Sequence, residues 1–320
     1  MKIPILFSAS LLLAAPILTA QLSPLKVIIL AGQSNMQGQA VVDLTGKDYN
    51  DGKGSLVALF NDPVKAPIYK HLKSAAGKWA VREDVWVYYQ REEPPAQVGS
   101  LGIGYSAYPD DHHFGIELQF GHVVGEGVKN QVLLIKTAWG GKSLDVDFRP
   151  PSSGGQVGPY YTKMISQVRE ALANLKTNFP TYDGRGYELA GFVWWHGWND
   201  FCDPKMVPAY EQNLVNLIHD VRTDLKSPKL PVVIGDLTGG WLKNDKDFPP
   251  AALAIRQAQK AAAEKLEFKG TIKLVETADF VRKPEDSPHP GHVHHEYGNA
   301  ETYFLVGDAL GKAMLSLMSK

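Results

Sequence analysis

Short apolar runs rich in β-branched residues recur along this chain, separated by stretches whose apolar positions return at helical spacing. The runs Lys26–Leu30, Val85–Tyr89, Val132–Lys136, Gly191–Trp195, Pro231–Ile234 and Thr271–Val275 predict buried strands. Helices are predicted over Gly115–Glu126, Tyr160–Leu175, Ala209–Leu225, Ala251–Leu266 and Asn299–Met318. The last opens with Asn299, a good N-cap, and keeps Tyr303, Phe304, Leu310 and Met314 near helical spacing. Strands alternating with helices imply an α/β fold whose mostly parallel sheet is covered on both faces. The loops Asp43–Lys53, Glu92–His113 and Asp145–Pro159 are long and rich in Gly, Pro and aromatic residues. Such insertions decorate the active edge of a scaffold. No repeat or low-complexity linker divides the chain, so residues 21–320 read as one domain with an elaborated rim.

Residues 1–20 have a basic start at Lys2, an apolar middle and a small residue, Ala20, at a plausible cut. This layout predicts a secretory signal peptide, with export to a periplasm or the outside and no stable membrane insertion after cleavage. No later apolar run approaches membrane-spanning length. The formal net charge of −1, with no basic block, argues against nucleic acid as a partner. Cys202 is the only cysteine, so no internal disulfide is available and stability must come from packing.

Three remote segments carry candidate chemistry. The strand Val27–Ala31 runs into Gly32-Gln33-Ser34-Asn35-Met36-Gln37-Gly38, which sets the Ser34 hydroxyl at a strand's carboxyl end, where open α/β sheets bind ligands. A second strand ends in His196-Gly197-Trp198-Asn199-Asp200. Asn199 offers a side-chain amide, and the Ser34 backbone N–H a second donor, for a developing oxyanion. Gly140 and Gly141, in Trp139-Gly140-Gly141-Lys142-Ser143, lack a Cβ and let a third backbone donor approach closely. The third segment holds His289, His292, His294 and His295 ahead of the final helix. A histidine from this loop is suited to take the proton of a serine nucleophile. The competing reading is zinc on His292, His294 and His295, helped by His289 or Glu296. One short loop rarely supplies a full tetrahedral shell, so no metal is expected.

These blocks resemble the SGNH hydrolases, and among them the sialate O-acetylesterase-like branch. Gly32-Gln33-Ser34-Asn35-Met36 is similar to that branch's first block, Lys136–Leu144 with its Gly140-Gly141 pair sits where the second-block glycine is expected, and Gly197-Trp198-Asn199-Asp200 matches the third block. Asn299-Ala300-Glu301-Thr302-Tyr303-Phe304 resembles the start of its terminal helix. The resemblance implies a flavodoxin-like three-layer α/β/α sandwich and hydrolysis of acetyl esters on carbohydrates through an acyl-enzyme, without metal or other cofactor. It implies Ser34 as nucleophile, and Gly140 or Gly141 with Asn199 in the oxyanion hole. His295, four residues before Asn299, is the implied base, and His294 is the second choice. The related glutamate of the third block has no counterpart among His196, Gly197 and Trp198, and the position three before His295 is His292 rather than aspartate. The acid behind the imidazole is then Asp200 or Asp286, the latter forming the histidine segment's one strict Asp-x-x-His pair, with His289.

The expected substrate is an acetylated oligo- or polysaccharide. Trp139, Trp195, Trp198, Tyr105 and Tyr108 are candidates to stack on sugar faces, and Arg149 and Lys142 to bind an acidic group. The alternatives are a non-catalytic carbohydrate-binding protein on an esterase scaffold, and an esterase for longer acyl chains.

Overall fold

The computed structural model describes residues 23–239 and 249–319. The expected leader, residues 1–20, lies outside the described residues. The strands are β1 Leu25–Gly32, β2 Ala40–Val41, β3 Arg82–Tyr89, β4 Gln97–Leu101, β5 His113–Phe114, β6 Val132–Ala138, β7 Tyr187–Trp195, β8 Val232–Gly235 and β9 Ile272–Val275. Seven of them form one sheet in the order β4-β3-β6-β1-β7-β8-β9, parallel throughout except for β4.

Side chains along each central strand alternate between two cores, as the period of two requires. Val27, Ile29 and Ala31 of β1, Leu133 and Ile135 of β6, and Phe192 and Trp194 of β7 enter one core. It is closed by the helices Pro159–Ala173, Tyr210–Asp224 and Pro250–Ala263. Ile28 and Leu30, Leu134 and Ala138, and Val193 and Trp195 enter the other, under the helices Glu117–Gly127 and Ala300–Met318. Three layers result, because every central strand is apolar on both faces. Asn299 caps the last helix, its side chain accepting from Thr302 N at 3.2 Å.

All six predicted strands and five predicted helices are present, with ends shifted by a few residues. The strand β4 lies inside the segment expected as the loop Glu92–His113. It is short and half-exposed, and pairs antiparallel with β3 alone at the sheet edge, so no apolar run announces it.

The chain steps from β1 outward to β3, returns to β6, and then builds β7, β8 and β9 on the opposite side of β1. The carboxyl end of β1 is therefore the point where strand order reverses, the crevice at which such sheets bind ligands. Ser34 follows immediately. The approach is tight: a Cβ on Gly32 would fall 2.2 Å from Trp195 O, so only glycine lets β1 turn into the serine's helix beside β7.

Candidate active site

Ser34 opens the short helix Ser34–Gln37 and is 9% exposed. Two neighbouring strands bring the other blocks to it. The turn after β6 is tied down by Trp139 N donating to Gly32 O at 3.2 Å. A Cβ added at Gly140 would stand 3.6 Å from Ser34 Cβ and 2.9 Å from Gln37 Oε1, so the Gly140 backbone lies against the serine. Gly141 differs: an added Cβ there would meet nothing within 4 Å. After β7, Gly197 N donates to Gln33 Oε1 at 3.2 Å, and Gln33 Nε2 donates to Asn199 Oδ1 at 3.4 Å. The residue before the serine thereby holds Asn199 with its oxygen turned to Gln33, and no hydrogen bond from Asn199 Nδ2 occurs among the described residues.

The histidine segment is latched to the residue after the serine. Asn35 Nδ2 donates to Glu296 Oε1 at 3.4 Å, and Tyr303 OH lies 2.7 Å from Asn35 Oδ1 and 3.3 Å from His295 O. The loop also closes on itself, with His289 N donating to Tyr297 O and Tyr297 N to His292 O. Glu296 and Tyr297 take positive φ values of 49° and 58°, uncommon for side-chain-bearing residues and held here by the surrounding packing. The His294 and His295 rings lie 4.1 Å apart between centroids, and His294 also neighbours Trp198 at 5.9 Å. His289 contacts His292 at 4.8 Å and Tyr49 at 4.7 Å. Among the described residues, no group of three or more histidine, cysteine or carboxylate side chains has the geometry to hold a metal ion.

Burial, reinforced by the neighbouring His294, His292 and His289, pushes the His295 imidazole down to about 3. It is a free base at neutral pH. Desolvation likewise lowers His294 and His289. Glu296 is fully buried, its Oε2 has no hydrogen-bond partner among the described residues, and desolvation raises its carboxyl to about 8.

The two acid candidates lie elsewhere. Asp200 is fully buried, and both its oxygens accept from Leu144 N, at 3.1 and 2.9 Å, while Oδ1 also accepts from Asp145 N at 3.0 Å. Its nearest imidazole partner is His196, at 3.8 Å, which itself contacts Lys142 O at 2.8 Å. Asp200 thus ties down the loop that carries Gly140, and no tail histidine is among its hydrogen-bond partners. Desolvation raises its carboxyl to about 7. Asp286 lines a separate cleft with Lys53, Lys65, Arg282 and Glu301, and its backbone oxygen accepts from Asn299 Nδ2.

Several rim assignments change. Trp139 and Trp195 are buried in the core, with Trp139 Nε1 donating to Arg91 O and Trp195 Nε1 to Thr238 Oγ1, and Tyr105 is 4% exposed. Their rings fill space between sheet and helices and offer no face to a sugar. Trp198 is half-buried, and Tyr108 is 40% exposed with its OH donating to Gln39 Oε1 at 2.9 Å. The Arg149 guanidinium is occupied by Asp145, Ser153 O and Gly154 O, a clamp within its own loop, and Lys142 lies over the Tyr160 ring at 4.2 Å.

Sequence reasoning missed Gln33, Asn35, Glu296 and Tyr303 as the ties that join the blocks. The first two sit inside the serine motif, whose residues predict only a turn. In the sequence Glu296 offers only a helper to a metal, and Tyr303 only an apolar position on its helix.

The family model for carbohydrate esterases, sialic acid-specific acetylesterases, matches residues 24–316. Among solved structures, a protein from Arabidopsis thaliana is 17% identical with a TM-score of 0.58, covering 92% of this chain and 99% of its own. NanS is 16% identical with a TM-score of 0.56, covering 91% of this chain and 97% of its own. A carbohydrate acetylesterase from Xanthomonas citri is 14% identical with a TM-score of 0.55; 90% of this chain matches 55% of that one. At these identities the likeness is one of fold. No curated protein matches the chain.

Proposed function

The chain belongs to the carbohydrate esterase family of sialic acid-specific acetylesterases, and from that premise we propose that it deacetylates a glycan through an acyl-enzyme on Ser34. His295 takes the Ser34 proton as Oγ bonds to the acetyl carbon. The carbonyl oxygen becomes an oxyanion, held by the N–H groups of Ser34 and Gly140 and by Asn199 Nδ2. The tetrahedral carbon then releases the sugar oxygen, which receives the proton from the His295 imidazolium. Water, giving its proton to His295, attacks the acetyl-serine; acetate leaves and the Ser34 hydroxyl is restored. No step calls on a metal or other cofactor.

The observation that carries this reading is the meeting of three remote blocks around Ser34: Gly140 against its Cβ, Asn199 tied to Gln33, and the His295 backbone tied through Tyr303 to Asn35. His295 has no carboxylate partner in this set, and the pair Ser34–His295 is the proposed proton-transfer unit. A shallow cleft lined by Gln33, Asn35, Trp195, Trp198 and Leu237 adjoins the serine's turn. Trp198 and Tyr108 are the proposed sugar-facing rings. The basic and apolar residues 1–20 support export to a periplasm or the outside, which cell fractionation tests.

Acetate release from acetylated oligosaccharides tests the nucleophile. Ser34→Ala should abolish turnover and reaction with a serine-directed phosphonate while the fold is kept. Retained turnover refutes the assignment, and labelling without any acetate release favours a different acyl group.

A further inference from the structure

Lys136 stands in the largely apolar strand β6, on the face that packs under the helices Glu117–Gly127 and Ala300–Met318, and its side chain is fully buried. A charge buried there must have every donor met. Its Nζ donates to Glu117 Oε2 at 2.6 Å, to Gln37 O at 2.6 Å and to Tyr105 O at 2.5 Å. Glu117 Oε1 in turn accepts from Gly115 N at 2.9 Å.

Two of these contacts bear on the site. Gln37 ends the four-residue helix that Ser34 begins, so its carbonyl is one that so short a helix leaves without an internal donor. The Gln37 side chain donates to Tyr89 OH at 3.1 Å and turns its Oε1 toward Gly140, where an added Cβ would come within 2.9 Å. The ammonium therefore fixes the far end of the serine's helix, and the amide beyond it abuts the proposed oxyanion donor.

We propose that Lys136 and Gln37 are positioning residues of the esterase site, with Lys136 fixing the helix that carries Ser34 and Gln37 setting how closely Gly140 approaches it. The inference rests on the roles given above to Ser34 and Gly140. A buried ion pair is a poor source of stability, since apolar or neutral replacement of both partners is often neutral or stabilising. Reaction geometry is more demanding: a misplacement of about 1 Å costs on the order of a hundredfold in rate.

The double variant Lys136→Met with Glu117→Gln removes both charges and keeps an acceptor for Gly115 N. It should fold with a lowered melting temperature, since Gln37 O and Tyr105 O lose their donor, and lose about tenfold or more in kcat with KM unchanged, and phosphonate labelling of Ser34 should slow in parallel. A kcat within about twofold of the wild type in the folded double variant overturns the proposal. Should that variant not fold, Gln37→Met decides: a kcat loss at constant KM supports the proposal, and wild-type kcat overturns it. Ser34→Ala, measured alongside, separates this outcome from failure of the nucleophile assignment, because active Ser34→Ala enzyme refutes that reading whatever Lys136 does.

Discussion

Glu296 Oε1 accepts from Asn35 Nδ2 at 3.4 Å, which places the residue after the serine against the residue after His295 across 261 positions of sequence. Tyr303 completes the contact by bridging Asn35 Oδ1 and the His295 carbonyl. The proposed nucleophile and base therefore share one buried polar junction, separate from the oxyanion side.

The carboxyl at that junction makes stability fall as pH rises. Burial lifts Glu296 from an ordinary 4.5 to about 8, so between those values the folded chain holds a proton that the unfolded chain has released. Its contribution is present below pH 4.5 and is lost as pH climbs through 8. Glu296→Gln should flatten this decline, and melting temperatures of the two proteins compared from pH 5 to 9 should converge at the acid end and separate at the alkaline end. Parallel curves would show that Glu296 is not protonated in the fold.

His295 should dominate the proton transfer. A positioned base contributes roughly 10² to 10⁴ in rate, so His295→Ala should lose that much in kcat while His294→Ala loses far less. Because burial holds His295 at about 3, the acid limb of kcat/KM should fall near pH 3 to 4 instead of near 6.5. A limb near 6.5, or a larger loss in His294→Ala, would move the base to another ring of the loop.

Asp200 should behave as a loop anchor. Asp200→Ala leaves the Leu144 and Asp145 N–H groups buried without their acceptor, at about 1–3 kcal/mol for each unsatisfied group. The melting temperature should drop, and kcat should fall about tenfold through displacement of the Gly140 loop. Loss of a triad acid instead costs about 10⁴ with geometry intact. An Asp200→Asn protein with wild-type melting and so large a kinetic defect would restore Asp200 as the acid.

Asn199 should contribute one oxyanion donor. Asn199→Ala is expected to lower kcat by about 10² to 10³ with little change in KM, which initial-rate kinetics on an acetylated sugar would measure. A KM effect at constant kcat would assign Asn199 to substrate binding.

The apolar runs of β1, β3, β6, β7 and β8 were enough to identify strands buried on both faces, because such strands need apolar residues at nearly every position, whereas Thr271–Val275 contains Lys273 and forms the partly buried edge strand β9. The Asn299 cap and the periodic helices followed from local chemistry in the same way. The serine motif and the glycine and asparagine blocks were legible because each pairs a strand with a turn at its carboxyl end. What the sequence by itself determined was thus local: element type, turn chemistry and which residue types carry reactive groups.

Tertiary structure alone decided which of those groups meet. Asp200 and the histidine loop are both near a strand edge or helix start, yet the Asp200 oxygens turn to Leu144 and Asp145, a choice made by loop packing. Trp139 and Trp195 carry the same side chain as Trp198, but their places at strand ends turn them into the core. Glu296 gave no pattern that points to Asn35, because that contact forms only when the last helix packs against β7, β8 and β9 and brings the loop before it to the serine's turn. Hydrogen bonds between remote residues leave no periodic trace in a chain; those bonds set the geometry of this site, and the burial that comes with packing sets its proton affinities.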